Sequence, residues 1–374
     1  LFDFYNLDVD ARQHYVQPDY QLSLHDPAGL SGVPEAVERI VEAVRQGDKI
    51  AIYGDYDIDG ITATALMCDV LMKVGADVLP YIPDRFEEGY GLNSEALKAL
   101  AKLGVTLVIT VDCGITAHQQ VSEAAGLNID IIITDHHTVP PELPSGAVAL
   151  INPLIPRDTY PFKVLAGVGV AFKLACAVMC EYPDICRLGQ EKWLLDLVAL
   201  GTVCDVVPLI GENRALVQFG LKVLRKSPRV GLQALAEVSG VELSEIKASD
   251  LGFRLGPRLN AAGRLEHANK ALELLMTTDK ELANELATEL NALNRERQQD
   301  TTRVFEAANA QAAQYVDDAI LVLAGNDWSH GIVGLVASRV SEAWHKPTLL
   351  LQTLGTVTKG SARSVGGFSI IDAL

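Results

Sequence analysis

Four short runs of acidic and histidine residues, each placed where an apolar segment ends, concentrate the chemistry of this chain. They are Gly54-Asp55-Tyr56-Asp57-Ile58-Asp59-Gly60, Val111-Asp112-Cys113-Gly114, Thr134-Asp135-His136-His137 and Thr202-Val203-Cys204-Asp205. A single aspartate after a strand is ordinarily a turn residue or a helix cap, because its side chain accepts hydrogen bonds from nearby amides. Asp55, Asp57 and Asp59 alternate with apolar or aromatic residues, and together the runs crowd more negative charge than a fold tolerates without a cation. Carboxylates joined by one or two imidazoles suit Mn²⁺ or Mg²⁺ better than ions that favour thiolates. Metal-assisted hydrolysis of a phosphate ester is the chemistry such a centre performs.

The elements that must position these groups are legible as well. Continuous apolar runs at 49–53, 107–111 and 130–133 read as buried parallel strands, and each leads directly into one of the first three clusters. Ligands of open α/β sheets sit beyond the carboxyl ends of the strands. An amphipathic helix is predicted over 33–46, strand–helix alternation continues from Lys49 to Ile151, and helix 61–73 turns Ile61, Ala65, Cys68 and Met72 to the core. From Val164 to Met276 the pattern becomes mostly helical. Residues 280–313 contain no Gly or Pro and read as one extended helix. A second α/β pattern follows, with strand 319–324, helix 331–344 and strand 348–352, and it stops at Leu374 without closing strands. The expected division is 1–278 (sheet core 1–160, helical part 161–278), a connecting helix 279–314, and a smaller, incomplete α/β domain 315–374.

The Asp-Tyr-Asp-x-Asp-Gly-x-Thr-Ala run at 55–63, Val-Asp-Cys-Gly-Ile at 111–115 and Asp-His-His at 135–137 resemble the DHH phosphoesterase superfamily. Leu165–Phe172, Leu197–Leu209 and the Gly-Pro-Arg-Leu-Asn segment within Leu255–Arg264 are similar to the branch that degrades single-stranded DNA from its 5′ end. The resemblance implies a DHH domain followed by a truncated DHHA1-like domain. It also implies two Mn²⁺ or Mg²⁺ ions, one held by Asp55, Asp57 and Asp112 and the other by Asp59, Asp112, His136 and Asp205, with Asp112 bridging. Asp112, His136 and His137 would form the catalytic group, His137 meeting the phosphate. Arg85 would hold a terminal 5′ phosphate, Arg258 and Asn260 would grip the strand, and His330, Ser361, Arg363 and Ser364 would clamp its backbone in the second domain. The implied partners are a single strand with a free 5′ end, a single-strand-binding protein and a RecQ-type helicase. Departures from the family pattern are Tyr53 in place of a frequent His, Cys113 in place of Asn and Ala362 in place of Gly.

At 374 residues and 49% hydrophobic, the chain can bury the cores of two domains. No apolar stretch approaches the roughly 18 residues of a membrane span, so no membrane partner is expected. The 6 cysteines form no usual zinc spacing, and the reading is a reduced bacterial cytoplasm. The formal net charge of −17 opposes a protein that coats duplex DNA, since sequence-independent affinity comes from Lys and Arg on phosphates. A narrow basic channel on an acidic body reconciles charge with substrate. The Gly-Pro-Arg-Leu-Asn segment and the long stretch from Val164 to Met276 favour this branch over smaller relatives that hydrolyse small oligonucleotides, cyclic dinucleotides or pyrophosphate, and scaffolding relatives lose acidic ligands that are all present here.

Overall fold

The computed structural model describes residues 4–5, 8–84, 88–89, 91–265, 268–355 and 357–373. The chain divides into two compact units, residues 1–263 with 267–290, and residues 291–374 with 264–266. The first is built on a five-stranded sheet in the order β2-β1-β3-β4-β5. Its strands are β1 (Lys49–Gly54), β2 (Asp77–Tyr81), β3 (Val105–Val111), β4 (Asp130–Thr134) and β5 (Ala149–Ile151), and every pairing is parallel. Parallel strands buried on both faces need apolar residues at successive positions, which Ile50–Tyr53, Leu107–Ile109 with Val111, and Ile131–Ile133 supply, while the buried Thr110 hydroxyl donates to Cys113 O.

Helices α1 (Val9–Val16), α2 (Val33–Gln46), α3 (Ile58–Lys73), α4 (Ser94–Lys102), α5 (His118–Gly126) and α6 (Gly167–Cys180) accompany the sheet. Gly32 and Gly47, both with positive φ, bracket α2, while Val33, Ala36, Ile40 and Ala43 form its buried stripe. Helix α3 is buried almost all round, because the sheet covers one side and α6 and α7 (Leu195–Cys204) cover another. Ile61, Ala65 and Cys68 are core residues, but Met72, expected to join them, is 47% exposed in the last turn. The helical part continues through α8 (Gly211–Leu224), α9 (Val230–Val238), α10 (Ala248–Asp250), a π-helical turn at Leu251–Leu255, α11 (Gly256–Leu265) and α12 (Asn269–Met276).

Helix α13 (Lys280–Ala312) begins in the first unit and ends in the second. The second unit adds β6 (Leu321–Gly325), α14 (His330–Trp344), β7 (Thr348–Leu354), β8 (Val357–Arg363) and α15 (Ile370–Ala373). Its core gathers Val304 and Ala308 of α13, Leu321 and Leu323 of β6, and Ile332, Val336 and Val340 of α14. Strand β6 runs parallel to β7, and β7 pairs antiparallel with β8. Strand β8, which carries the Gly-Ser-Ala-Arg run at 360–363, corrects the sequence reading, which expected no closing strand after 348–352. Residues 357–360 are exposed and lack apolar alternation, so only pairing with β7 makes them a strand. Among the described residues, no helix is long and apolar enough to cross a membrane.

A buried ion pair ties the start of the chain to the helical part. Lys173 and Glu212 have side chains 2% and 0% exposed. Glu212 also accepts from His25 N (2.8 Å) and Tyr160 Oη (2.7 Å), while Lys173 donates to His25 O (2.9 Å). Removing one partner strands the other charge away from water. We therefore expect Lys173→Met to cost about 3–5 kcal/mol in denaturant unfolding, and a loss below about 1 kcal/mol would show that the pair is solvated in the native state.

Candidate metal centre

Strand order explains why the clusters meet. The order β2-β1-β3-β4-β5 reverses direction between β1 and β3, and such a switch point opens a crevice at the carboxyl ends of the strands. Asp55, Asp112 and Asp135 are the first residues beyond β1, β3 and β4. The sheet ladder continues through them: Asp55 N donates to Val111 O (3.3 Å), Asp112 N to Thr134 O (3.0 Å) and Asp135 N to Ile151 O (3.0 Å). Three carboxylates are thus registered by backbone bonds and not by side-chain packing.

Local sequence places the rest. Asp57 caps α3 by accepting from Gly60 N (3.1 Å), and Asp59 lies in the first turn. Gly60 is required there, since a Cβ would stand 2.4 Å from Asp55 O. The two oxygens of Asp59 accept from Gly167 N (2.6 Å) and Val168 N (2.9 Å) at the amino terminus of α6, an end whose dipole favours a carboxylate. Gly167 also abuts Asp112, where a Cβ would fall 2.4 Å from Oδ1. Asp112 itself holds the left-handed conformation, φ +63°, which an aspartate tolerates better than most residues. Asp205 arrives on the C-cap of α7.

The convergence is tight. His136 Nε2 lies 3.1 Å from Asp112 Oδ1, 3.7 Å from Asp205 Oδ2 and 3.8 Å from Asp59 Oδ2. Three overlapping sets have ligand atoms within 4.8 Å of one another: Asp55, Asp57 and Asp112; Asp59, His136 and Asp205; and Asp112, His136 and His137. Asp112 Oδ1, His136 Nε2 and Asp205 Oδ2 are buried without a hydrogen-bond partner among the described residues. Buried polar atoms left in that state are costly, and a divalent cation is the group that satisfies a carboxylate–imidazole set. The donors therefore fit Mn²⁺ or Mg²⁺.

Electrostatics agree. Burial, and then neighbouring aspartates, push the carboxyls of Asp59 and Asp112 well above the usual range. Burial and Asp57 raise Asp205 to about 7. Burial lowers His136, keeping it in the neutral form that binds metals. His137 is different: a hydrogen bond from Nδ1 to Asp135 Oδ1 (2.7 Å) outweighs its burial and raises it to about 9. For Asp135, burial acts upward, but the contacts with His137 and the amides of His137 and Ile115 prevail and lower it.

Sequence reasoning assigned no task to Asp135, Gly167 or Val168. Asp135 is 1% exposed and organises its loop, accepting from Ile115 N (2.9 Å), His136 N (2.7 Å) and His137 N (3.0 Å). Its signal was its place at the end of a buried strand. Gly201 of α7 is a further such residue, since a Cβ there would stand 2.3 Å from Thr62 Oγ1 and 2.9 Å from Asp59 Oδ1.

Of the expected strand contacts, Arg85 lies outside the described residues. Arg258 and Asn260 are on α11, and Arg258 Nη1 donates to Arg254 O (2.5 Å). Helix α11 starts against the centre, because a Cβ on Gly256 would fall 2.6 Å from Cys204 Sγ and 3.2 Å from Ile58. In the second unit His330 is the first residue of α14. The Arg363 guanidinium joins β8 to α14 through Ser338 Oγ (2.7 Å), Ser361 Oγ (2.8 Å) and Gly334 O (3.0 Å). Ser364 Oγ accepts from Ile370 N (3.1 Å).

Comparison with known proteins adds an independent line. Residues 49–202 match the family described as DHH family, N-terminal domain. The single-stranded-DNA-specific exonuclease RecJ of Bacillus subtilis (strain 168) is 45% identical over 354 residues, 94% of this chain and 44% of that protein. The chain thus spans less than half of that relative. A crystal structure of exonuclease RecJ bound to manganese superposes with a TM-score of 0.82 at 39% identity, covering 92% of this chain and 85% of that one. The RecJ of Thermus thermophilus in complex with Mg²⁺ gives a TM-score of 0.72 at 35% identity, over 92% of this chain and 46% of that one.

The His137–Asp135 pair sets a pH dependence for the metal-free protein. His137, raised, contributes stability below its unfolded value of about 6.5, and the contribution is lost as pH climbs through its folded value. Asp135, lowered, contributes above its ordinary value and loses the contribution as pH falls through the depressed one. In Asp135→Asn the titration of the His137 ring, followed by NMR, should move down from about 9 toward about 6.5. A ring still titrating near 9 would assign the shift to other carboxylates.

Proposed function

This chain belongs to the RecJ branch of the DHH family, and on that premise we propose that it is the catalytic part of a metal-dependent exonuclease. The substrate would be single-stranded DNA with a free 5′ end, hydrolysed one phosphodiester at a time. The observation that carries the reading is the set of buried atoms on Asp112, His136 and Asp205 that lack a hydrogen-bond partner among the described residues, gathered at the switch point of the sheet.

Asp55, Asp57 and Asp112 would hold one Mn²⁺ or Mg²⁺, and Asp59, Asp112, His136 and Asp205 the other. Such ions supply Lewis acidity toward phosphoryl oxygens and lower the pKa of water. The chain's own residues do the rest. Asp59 is fixed by the α6 amides. His136 remains neutral and able to ligate. His137 is raised to about 9 by Asp135 in the metal-free protein, and an imidazolium there would donate from both ring nitrogens. With Nδ1 on Asp135 Oδ1, its Nε2 side is suited to a phosphoryl oxygen whose negative charge grows during displacement. Arg85, Arg258 and Asn260 would contact the strand near the centre. His330, Ser361, Arg363 and Ser364 would shape a backbone-binding surface in the second unit. Recombination and repair beside a single-strand-binding protein and a RecQ-type helicase, in the bacterial cytoplasm, is the setting we assign to this activity.

Asp112→Ala should abolish turnover while preserving the circular dichroism of the fold, because both metal sets lose a shared ligand. EDTA should inactivate the wild type and Mn²⁺ restore it. Residual activity of the variant within about tenfold, a barrier change of only about 1.4 kcal/mol, would remove Asp112 from the centre.

The assignment of Arg85 has its own check. Arg85→Ala should reduce the preference for 5′-phosphorylated over 5′-hydroxyl single strands by about 1–3 kcal/mol, the scale of a charge-assisted hydrogen bond. An unchanged preference in kcat/KM would place phosphate reading elsewhere.

A further inference from the structure

The π-helical turn at Leu251–Leu255 presents a side chain that the catalytic reading leaves unused. Leu251 and Leu255 are fully buried, whereas Phe253 between them is 83% exposed. The turn closes through Gly256 N to Leu251 O, a five-residue loop that inserts one residue into the helical path, and such insertions occur frequently at functional sites. Here it delivers an aromatic ring to solvent at a defined place. A Cβ on Gly252 would lie 3.6 Å from Val203, and one on Gly256 would lie 2.6 Å from Cys204 Sγ and 3.2 Å from Ile58. Those neighbours stand next to Asp205, Asp57 and Asp59. The turn therefore packs on the ligand-bearing end of α7 and on the start of α3, at the rim of the metal centre.

The platform is braced on both sides. Arg254 Nη2 donates to Ser239 O (2.8 Å) and Gly240 O (2.6 Å) at the end of α9, and Lys247 N donates to Asp250 Oδ2 (3.0 Å) ahead of the turn. Directly after Asp205, Val206 is 85% exposed and holds φ +62°, a conformation that a β-branched residue adopts only at a cost. Val206 directly follows Asp205, and Phe253 stands on the turn that packs against Val203 and Cys204 just ahead of it. An exposed aromatic ring at the rim of a centre that takes a phosphate suits a ligand that joins a flat aromatic surface to a negative backbone, which is the chemistry of an unpaired nucleotide. A bare phosphoester offers nothing to Phe253.

We propose that Phe253 is a base-stacking residue, which receives a nucleobase of the strand whose phosphate occupies the metal centre. The inference rests on the single-strand exonuclease reading and adds to it a contact with the base. It makes the aromatic ring a determinant of substrate class, because only a strand with an exposed base can use it.

The test compares a 5′-phosphorylated single strand carrying ordinary bases with the same strand bearing abasic tetrahydrofuran units over its first nucleotides, in kcat/KM with Mn²⁺. Wild type should favour the ordinary strand by about tenfold or more, within the range for one base–aromatic stack. Phe253→Ala should lose that factor on the ordinary strand and nothing on the abasic one, while Phe253→Trp should retain it. Equal losses of Phe253→Ala on both strands, no loss on the ordinary strand, or a wild type indifferent to the missing bases would each overturn the inference while leaving the exonuclease reading intact. A wild type that cuts neither strand would overturn both.

Discussion

Mutual repulsion of desolvated carboxylates is the constraint around which this molecule is organised. Asp55, Asp59 and Asp112 are 4% exposed or less, and Asp57 and Asp205 complete the overlapping sets whose ligand atoms lie within 4.8 Å of one another. Burial and proximity both push the protons of Asp59 and Asp112 upward, so the metal-free centre resists holding all of its charges at once. Among the described residues, His137 is the one basic side chain that the repulsion meets at close range, 3.9 Å from Asp112 Oδ1. The surrounding structure otherwise uses backbone: the ladder amides beyond β1, β3 and β4 and the first amides of α6 hold the carboxylates without neutralising them. A divalent cation is then the element that releases the stored electrostatic cost, and affinity follows from a site that is assembled but unsatisfied.

That arrangement also explains where backbone strain and close packing fall. Asp112 and Val206 carry positive φ, one on a shared ligand and the other directly after Asp205, where strain is maintained by the structure around it. Gly167 and Gly201 press their Cα hydrogens against Asp112 and Asp59, leaving no space for a Cβ. The rotamers of Asp112 and Asp59 are therefore limited by a neighbouring main chain, which is stiffer than any side-chain wall. The small residues at the start of α6 act on geometry more than on helix stability, since glycine there sacrifices propensity.

How much of this could be read in the sequence divides along physical lines. Buried parallel strands announce themselves by unbroken apolar runs, so β1, β3, β4 and the clusters beyond them were legible together. The long helix was legible from the absence of breakers over 280–313. Strand β8 was not, because its residues are mostly exposed and its only strong determinant is the partner β7. Met72 was misplaced for a related reason: helical periodicity identifies the direction of a residue but not whether neighbouring helices extend far enough to cover it. Asp135 stood in plain view within Asp-His-His, but its role as a hydrogen-bond hub depends on Ile115 from another loop. Arg363 illustrates the opposite limit, since its motif says nothing of the bonds to Gly334 and Ser338 that the fold gives it.

On the proposed function, the acidic balance of the chain would take a physical role in substrate choice. Two divalent ions would change a formal charge of −17 to −13, so most of the negative balance lies outside the centre and persists in the loaded protein. Duplex DNA binds through many simultaneous phosphate contacts, and an acidic body repels it over about 8–10 Å at physiological salt. A single strand presents its bases as well as its phosphates, and it can be held at a few points where a metal centre, an arginine fork or an aromatic ring outweighs the general repulsion. On the proposed function, selectivity for unpaired DNA would arise from scarcity of attractive surface: whatever cannot use those few local contacts would have no other reason to remain bound.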